Sequence, residues 1–152
     1  MTREQKCELA IERGFTYEYE TGLIYNRYGK ISNHINTNGY VVLEIRINKK
    51  SNKLKAHQFA WYFINKEISE FHEIDHINGI RNDNRICNLR QVTHQQNQFN
   101  IKNVKGYSWH KKNNKWCSVI RLDSKNIYLG SHNTEQEAHN AYLAAKEIYH
   151  KI

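Results

Sequence analysis

The chain has 152 residues and carries 23 Lys and Arg against 15 Asp and Glu, for a formal charge of +8 at pH 7. No apolar stretch approaches the roughly 20 residues that a membrane helix needs, and the charged N-terminus lacks the apolar block of a signal peptide. We therefore expect a cytoplasmic protein of one domain or two small ones, without a membrane partner. The positive charge predicts a polyanionic partner. The three scattered cysteines predict neither a disulfide framework nor a cysteine zinc site.

Residues 1–72 predict an N-terminal α+β region. Apolar side chains recur at helical spacing after Thr2, a good N-cap, and Gly14 stands where that helix would end. Alternating apolar residues further along indicate half-buried strands. In chain order, the predicted elements are a helix over 2–13, a hairpin over 15–25, a strand over 39–47, a turn over 48–53, a partner strand over 54–57 and a buried helix over 57–65.

The helix over 57–65 is too apolar and aromatic for a surface loop, and we expect its large side chains in the core. The core residues predicted from this run are Phe59, Trp61 and Ile64. His57 stands at the start of the run and has two interpretations. It is a packed histidine, which we favour, or it faces a cleft.

The segment 73–101 combines short elements with an unusual density of chemically active side chains. A strand over 73–75 leads into a loop over 77–86, which is followed by a strand over 88–92 and a helix from Thr93 to about residue 100. Asparagine is a turn former, and the loop asparagines are interpreted as turn residues. They are Asn78, Asn82 and Asn84.

Four side chains of this segment could together hydrolyse a phosphodiester. A carboxylate and an amide oxygen suit Mg²⁺ or Mn²⁺, and Asp75 and Asn97 are the best candidates for these ligands. His76 is the candidate general base, because an unperturbed imidazole accepts a proton at neutral pH. Its ring would need a partner that orients it, and Asn88 could serve. The metal would stabilise charge on the phosphate and on the leaving group.

The run DHINGIRNDNRICNLR resembles the ββα-metal motif of HNH endonucleases, in particular the phage and intron-encoded homing-type group. The resemblance implies that Asp75 binds a divalent metal and that His76 is the general base. It also implies that Asn88 orients the imidazole and that Asn97 completes the metal site. The last position is Asn where the family name has His, which favours oxygen coordination over a tight zinc site.

Two arginines of the motif have alternative interpretations. Arg85 could contact phosphate and neutralise charge in the transition state, which would make it a catalytic residue, or it could form a salt bridge with Asp83. Both interpretations stay open for Arg85. For Arg90 we favour a salt bridge with a neighbouring carboxylate.

Residues 104–152 predict a three-stranded antiparallel sheet backed by one helix. Three alternating stretches are separated by turns at 112–114 and 123–124, and Thr134 with Glu137 forms a capping-box pattern that opens a helix. The apolar stripe of that helix would cover the sheet. It consists of Ala138, Ala141, Tyr142, Ala145 and Ile148.

This C-terminal segment is similar to the apetala-two type DNA-binding domain, in its Gly-Tyr-Ser-Trp opening, Lys-Trp strand, Tyr-Leu-Gly turn and Thr-Glu-x-Glu-Ala helix. The resemblance implies a sheet that lies in the major groove of double-stranded DNA. The DNA-contacting residues that it implies are Trp109, Lys111, Lys115, Trp116, Arg121, Lys125 and Tyr128. Strand alternation puts Trp116 on the outward face if Cys117 and Val119 are core, which we expect. One of the two tryptophans could instead pack under the helix.

These features predict an α+β, metal-dependent DNA endonuclease of the homing or phage type. The predicted organisation is a nuclease domain over 1–103, which contains the ββα-metal motif over 73–101, and a DNA-binding domain over 104–152. We expect Mg²⁺, or Mn²⁺, as cofactor and a monomer or homodimer. A non-catalytic DNA-binding regulator that retains the nuclease fold is the main alternative, and an RNA-binding protein fits the charge less specifically.

Overall fold

The computed structural model describes residues 1–47, 50–101 and 104–151. Two compact units make up the chain, Met1–His94 and Gln95–Ile152. Both contain helices and antiparallel strands, so the predicted α+β class is confirmed. The domain boundary expected after residue 103 stays a prediction. Across the described ranges, no helix is both long and apolar enough to cross a membrane.

The first unit is built from three two-stranded antiparallel sheets and two larger helices. The sheets pair β1 with β2, β3 with β4, and β5 with β6. In chain order the elements are α1 (Arg3–Glu12), β1 (Thr16–Tyr17), β2 (Ile24–Tyr25), β3 (Val42–Ile47), β4 (Lys50–Lys55), α2 (Ala56–Asn65), β5 (Glu73–His76), a 3₁₀ turn (Ile86–Asn88), β6 (Leu89–Val92) and α3 (His94–Phe99), of which only His94 belongs to the first unit.

Helix α2 forms the centre of the first core. Phe59 and Ala60 are fully buried on it, and they pack with Leu43 and Ile45 of β3. Helix α1 begins with a capping box, in which Thr2 accepts from the Gln5 N–H and the Gln5 side chain accepts from the Thr2 N–H. These local signals explain why both predicted helices are present.

Two details of the N-terminal prediction are wrong. The turn predicted over 48–53 is too long, because Lys50–Lys55 form strand β4 and pair with β3 as far as Ile47 opposite Lys50; residues 48 and 49 lie outside the described residues. The sequence of β4 is mostly polar and lacks the apolar alternation that predicts a strand; backbone hydrogen bonds to β3 hold it in place. Ile64 was expected in the core, but it lies on the exposed side of α2.

The second unit contains the predicted three-stranded sheet and its helix. The strands are β7 (Tyr107–His110), β8 (Lys115–Leu122) and β9 (Lys125–His132), in the order β7-β8-β9, followed by α4 (Glu135–Tyr149). The capping box of Thr134 and Glu137 opens α4 as predicted. Ile120 of the sheet packs with Tyr142 and Ala145 of the helix, whereas Ile148 of the predicted stripe is exposed.

The expectation that Trp116 points away from the helix is wrong. Ser118 and Ile120 of the same strand are 0% and 1% exposed, so the face that they share with Trp116 is the one that packs against α4. Trp109 lies directly opposite Trp116 in the register, and their ring centroids are 5.2 Å apart. Both tryptophans therefore lie on the helix side. The sequence pattern misleads here because Cys117 and Val119 are apolar but only half-buried.

Two phenylalanines of the first unit should respond very differently to truncation. Phe59→Ala empties a fully buried site and should lower the free energy of unfolding by about 3–5 kcal/mol. Phe71 is 93% exposed, so Phe71→Ala should change it by less than about 0.5 kcal/mol. Urea denaturation of both variants measures the difference. Equal losses would contradict the assignment of Phe59 to the core.

Candidate active site

The β5–β6 hairpin places a buried carboxylate and a buried imidazole next to each other in the chain. Asp75 and His76 end β5, opposite Arg90 and Leu89 of β6. Arg90 donates to Asp75 Oδ2 from Nε at 3.0 Å and from Nη2 at 2.9 Å. A buried charge needs such a partner, and this ion pair supplies it. Arg90 therefore has a carboxylate partner, as favoured from the sequence, and the partner is the candidate metal ligand.

The His76 imidazole is held between an amide and two aromatic rings. Its Nε2 lies 3.3 Å from Asn84 Oδ1. Asn84 Nδ2 donates to the Asn82 carbonyl, which is why the amide presents its oxygen to the ring. The His57 ring packs edge-on at a centroid distance of 4.8 Å, and the Tyr40 ring lies at 6.0 Å. The ring therefore has a defined orientation on several sides.

The environment of His76 keeps the imidazole neutral near pH 7. Burial lowers its pKa, while the hydrogen bond with Asn84 and the charges of Asp75 and Asp83 oppose that shift. The positive charge of Arg81 adds to the lowering. A neutral imidazole has a nitrogen that can accept a proton, as a general base must. The site thus meets the first requirement of the predicted chemistry.

Asn88 is a loop residue in this structure, and Asn84 is the asparagine that meets the imidazole. Asn88 Oδ1 accepts from the Asn78 N–H at 3.0 Å, and its Nδ2 donates to the Asp83 carbonyl at 2.8 Å. The expected role of Asn88 in orienting His76 is thus taken by Asn84. Asn84 was interpreted as a turn residue, yet it is buried. The only sequence signal for its role is that the β5–β6 pairing must return the end of this loop to His76.

Arg85 forms the salt bridge that was one of its two interpretations. Its Nε and Nη2 donate to the two oxygens of Asp83 at 2.8 and 2.6 Å. Together with a bond from Asn78, this arginine lowers the pKa of Asp83 to about 2. Because its fork is occupied, the geometry favours a structural role for Arg85 over the catalytic one.

His57 is both a packed residue and a neighbour of the site. It is buried at the start of α2, with its ring against Tyr40 and His76. Burial lowers its pKa well below the ordinary value, and the nearby charges of His76 and Lys55 act in the same direction. Its Nδ1 is buried and has no hydrogen-bond partner among the residues that the structure describes. The two interpretations of His57 are therefore compatible.

The donors of the predicted metal site are one carboxylate and one amide, and their chemistry fits a hard cation. Mg²⁺ is held by one or two carboxylates and keeps several waters. Asp75 lies in the first unit; Asn97 lies half-buried on α3, within the second. Their action on one cation stays a prediction. Within the described ranges, no group of three or more His, Cys, Asp and Glu side chains could hold a metal ion.

The residues predicted to contact DNA fall on different parts of the C-terminal sheet. Arg121 and Tyr128 lie on the face opposite α4, since Val119, the strand partner of Tyr128, alternates with the buried Ser118 and Ile120. Lys115 alternates onto the same face. Lys111 lies in the turn before β8, and Lys125 begins β9. The helix-side position of Trp109 and Trp116 separates them from this outer face.

We expect the buried, neutral His57 to make the protein less stable in acid. Its pKa is lowered in the folded state, so the unfolded chain binds more protons below the ordinary value of 6.5. Stability is therefore lost as the pH falls through that value. His57→Phe removes this titration, and its free energy of unfolding should fall less steeply with acidification, by up to about 1.4 kcal/mol per pH unit. Urea denaturation at about pH 7.5 and 5 measures it; equal slopes would contradict a neutral His57.

Comparison with known proteins identifies the segment that contains this site. Residues 54–99 match the family model of HNH endonucleases. A solved structure, described as DNA binding and cleavage by the HNH homing endonuclease I-HmuI, is similar with 23% sequence identity and a TM-score of 0.47, covering 75% of this chain and 70% of that one. A search of curated proteins finds no match. The apetala-two resemblance stays a prediction. The matched segment 54–99 contains the whole β5–β6 hairpin and its loop.

Proposed function

We propose that the protein is a metal-dependent endonuclease that hydrolyses phosphodiester bonds of double-stranded DNA, of the phage or homing type. The observation that carries the proposal is the buried, neutral His76 beside the buried Asp75, within a segment that matches HNH endonucleases. Burial of these two polar groups is offset by their partners, Arg90 for Asp75 and Asn84 for His76. A general base beside a metal ligand gives that burial a use.

His76 would take the proton of the attacking water. Because Nε2 faces an amide oxygen, it carries the ring proton, and Nδ1 is the nitrogen that accepts. The water oxygen bonds to phosphorus, the bond from phosphorus to the leaving deoxyribose oxygen breaks, and that oxygen takes a proton. Asn84 would hold the ring in this tautomer throughout. A fixed ring is what makes proton transfer efficient.

Asp75 would hold the divalent metal, Mg²⁺ or Mn²⁺, with Asn97 as the second ligand expected from the sequence. The bound ion would stabilise the negative charge that develops on the phosphate and on the leaving oxygen. Arg90 would keep the carboxylate of Asp75 in place through its two hydrogen bonds. It acts on the ligand, as second-layer partners of metal ligands commonly do.

The outer face of the C-terminal sheet would hold the DNA. Arg121 and Tyr128 share this face, and Tyr128 is 61% exposed, so both are accessible to a duplex. Lys111 and Lys115 would add phosphate contacts, whereas Lys125 alternates with Ile127 onto the helix side of the sheet. The net charge of +8 favours the approach of a polyanion. Trp109 and Trp116 are left out of this set because they lie on the helix side.

Incubation of the protein with supercoiled plasmid, with Mg²⁺ and then with EDTA, tests the proposed function. We expect relaxed or linear product with the metal and none with the chelator. Retarded but intact plasmid under both conditions would contradict nuclease activity and favour a DNA-binding regulator. Preferential retardation of RNA would contradict DNA as the substrate.

His76→Ala should abolish cleavage while DNA binding persists. Loss of a general base typically costs about 10²- to 10⁴-fold in rate, and the DNA contacts lie on other side chains. The matched control is His34→Ala, which removes an exposed histidine of the same unit and should cleave normally. Plasmid nicking and duplex retardation measure the two properties. Unchanged cleavage by His76→Ala would refute the general-base role.

Arg121→Gln should weaken binding of double-stranded DNA and flatten its dependence on salt. One lost phosphate contact reduces the slope of log K against log salt by about 1. Lys146→Gln is the control, because Lys146 lies on α4, which covers the other face of the sheet. Titration of a fluorescent duplex at several salt concentrations gives both slopes. An equal effect of the two substitutions would contradict binding through the outer face.

A further inference from the structure

One tyrosine ring beside the site is in contact with two cations and two histidines. Tyr40 lies 5.2 Å from the His57 ring and 6.0 Å from the His76 ring, centroid to centroid. Lys55 Nζ lies over the same ring at 4.7 Å, and the Arg81 guanidinium lies over it at 5.2 Å. These distances are within the range of cation–π attraction. Two positive charges are therefore held close to the candidate general base.

The ring and Arg81 are both fixed to the turn over 36–40. The Tyr40 N–H donates to Asn36 Oδ1 at 3.0 Å, and the Asn36 N–H donates to the Tyr40 carbonyl at 2.9 Å. Arg81 Nη1 donates to the Asn38 carbonyl at 2.9 Å. Lys55 ends β4, directly before α2. The two cations thus come from separate elements and meet at Tyr40.

Lys55 and Arg81 differ from Arg85 and Arg90 in whether a carboxylate lies next to the positive charge. Arg85 and Arg90 are bound to Asp83 and Asp75. Among the residues that the structure describes, neither Lys55 nor Arg81 has a carboxylate within 4.0 Å. The positive charges of Lys55 and Arg81 are within a Debye length of each other, so they repel each other. A bound anion would remove that repulsion, and both side chains are exposed enough to reach one.

We propose that Arg81 and Lys55 bind the DNA phosphate that is presented to His76, and that Tyr40 positions both cations for this contact. The inference rests on the proposed function and names the phosphate-binding side chains of that site. Arg81 lies in the same β5–β6 loop as Asn84, whose amide oxygen faces the His76 ring. Arg85, for which the sequence left a phosphate contact as one of two interpretations, has its fork on Asp83 instead.

The chemistry of the two cations suits this task. A guanidinium donates parallel hydrogen bonds to phosphate oxygens, and a lysine adds a point charge. Both would bind the non-bridging oxygens, on which negative charge is concentrated during hydrolysis. Donors held in place before the reaction stabilise that charge without reorganisation. Tyr40 holds the two cations in place through its ring. A cation that lies on an aromatic ring keeps its charge and its hydrogen-bond donors available for the phosphate.

The test compares each cation with a matched cation elsewhere in the same unit. Arg27 lies over the Tyr28 ring at 4.6 Å, and Lys66 lies over the Phe63 ring at 4.8 Å, so both reproduce the cation–π contact away from His76. Arg81→Gln and Lys55→Gln should each lower kcat/KM for plasmid nicking by roughly tenfold to a hundredfold. Arg27→Gln and Lys66→Gln should stay within about twofold.

A second measurement separates failure of this inference from failure of the proposed function. In the His76→Ala background, duplex binding is measured against salt, and Arg81→Gln should reduce the slope by about 1 even though no cleavage occurs. If the wild type cleaves and Arg81→Gln behaves like Arg27→Gln in both assays, the phosphate site is refuted and the nuclease stands. If the wild type does not cleave but the slope changes, the phosphate site stands without the nuclease. If the wild type does not cleave and Arg81→Gln leaves the salt slope unchanged, both the nuclease and the phosphate site are refuted.

The positioning role of Tyr40 has its own test. Tyr40→Phe keeps a ring for both cations, whereas Tyr40→Leu removes it. We expect Tyr40→Phe to retain at least about fivefold more activity than Tyr40→Leu, with the loss in Tyr40→Leu falling on kcat as well as KM. Equal activity of the two variants at equal thermal stability would refute the positioning role.

Discussion

The site depends on how the loop between β5 and β6 is closed. Asn88 bonds the backbone at Asn78 and at Asp83, so one side chain spans the loop from its beginning to its end. With the loop held in this way, Asn84 returns to His76 and its amide oxygen reaches the imidazole. Loss of the Asn88 amide would leave two partly buried backbone groups without these hydrogen bonds. The tautomer of the candidate base therefore rests on an asparagine that does not contact it.

The cations near the site have two different kinds of partner. Arg85 and Arg90 neutralise carboxylates. Arg85 binds both oxygens of Asp83, and both donors of Arg90 bind Oδ2 of Asp75, so the two arginines are rigid parts of the loop and of the hairpin. Lys55 and Arg81 instead lie on the Tyr40 ring. In a salt bridge a carboxylate neutralises the charge of the arginine. An aromatic ring has no net charge, so a cation on its face can still bind an anionic ligand. Sequence position alone does not distinguish these cases, since Arg81 and Arg85 stand four residues apart.

What the sequence could predict was local. The N-cap at Thr2, the capping box at Thr134, the aromatic helix α2 and the alternation of β3 depend on neighbouring residues, and all are present. The errors concern properties that depend on distant partners. Lys50–Lys53 form a strand only because β3 lies beside them, and the inward face of Trp116 is set by which side α4 covers. In the sequence Asn84 cannot be told from a turn asparagine, because only the pairing of β5 with β6 brings it to His76. Local sequence propensity cannot predict these features, because each depends on residues that are distant in the sequence.

The segment that matches HNH endonucleases is smaller than the physical unit that completes the site. Residues 54–99 contain Asp75, His76 and Asn84, but Tyr40 and the Asn38 carbonyl that binds Arg81 lie before that segment. Tyr40 contacts both histidines and both unpaired cations, so its absence would free side chains that the matched segment contributes. The turn over 36–40 and strand β3 are therefore part of the candidate site. The N-terminal region and the β5–β6 hairpin belong to the same compact unit, Met1–His94.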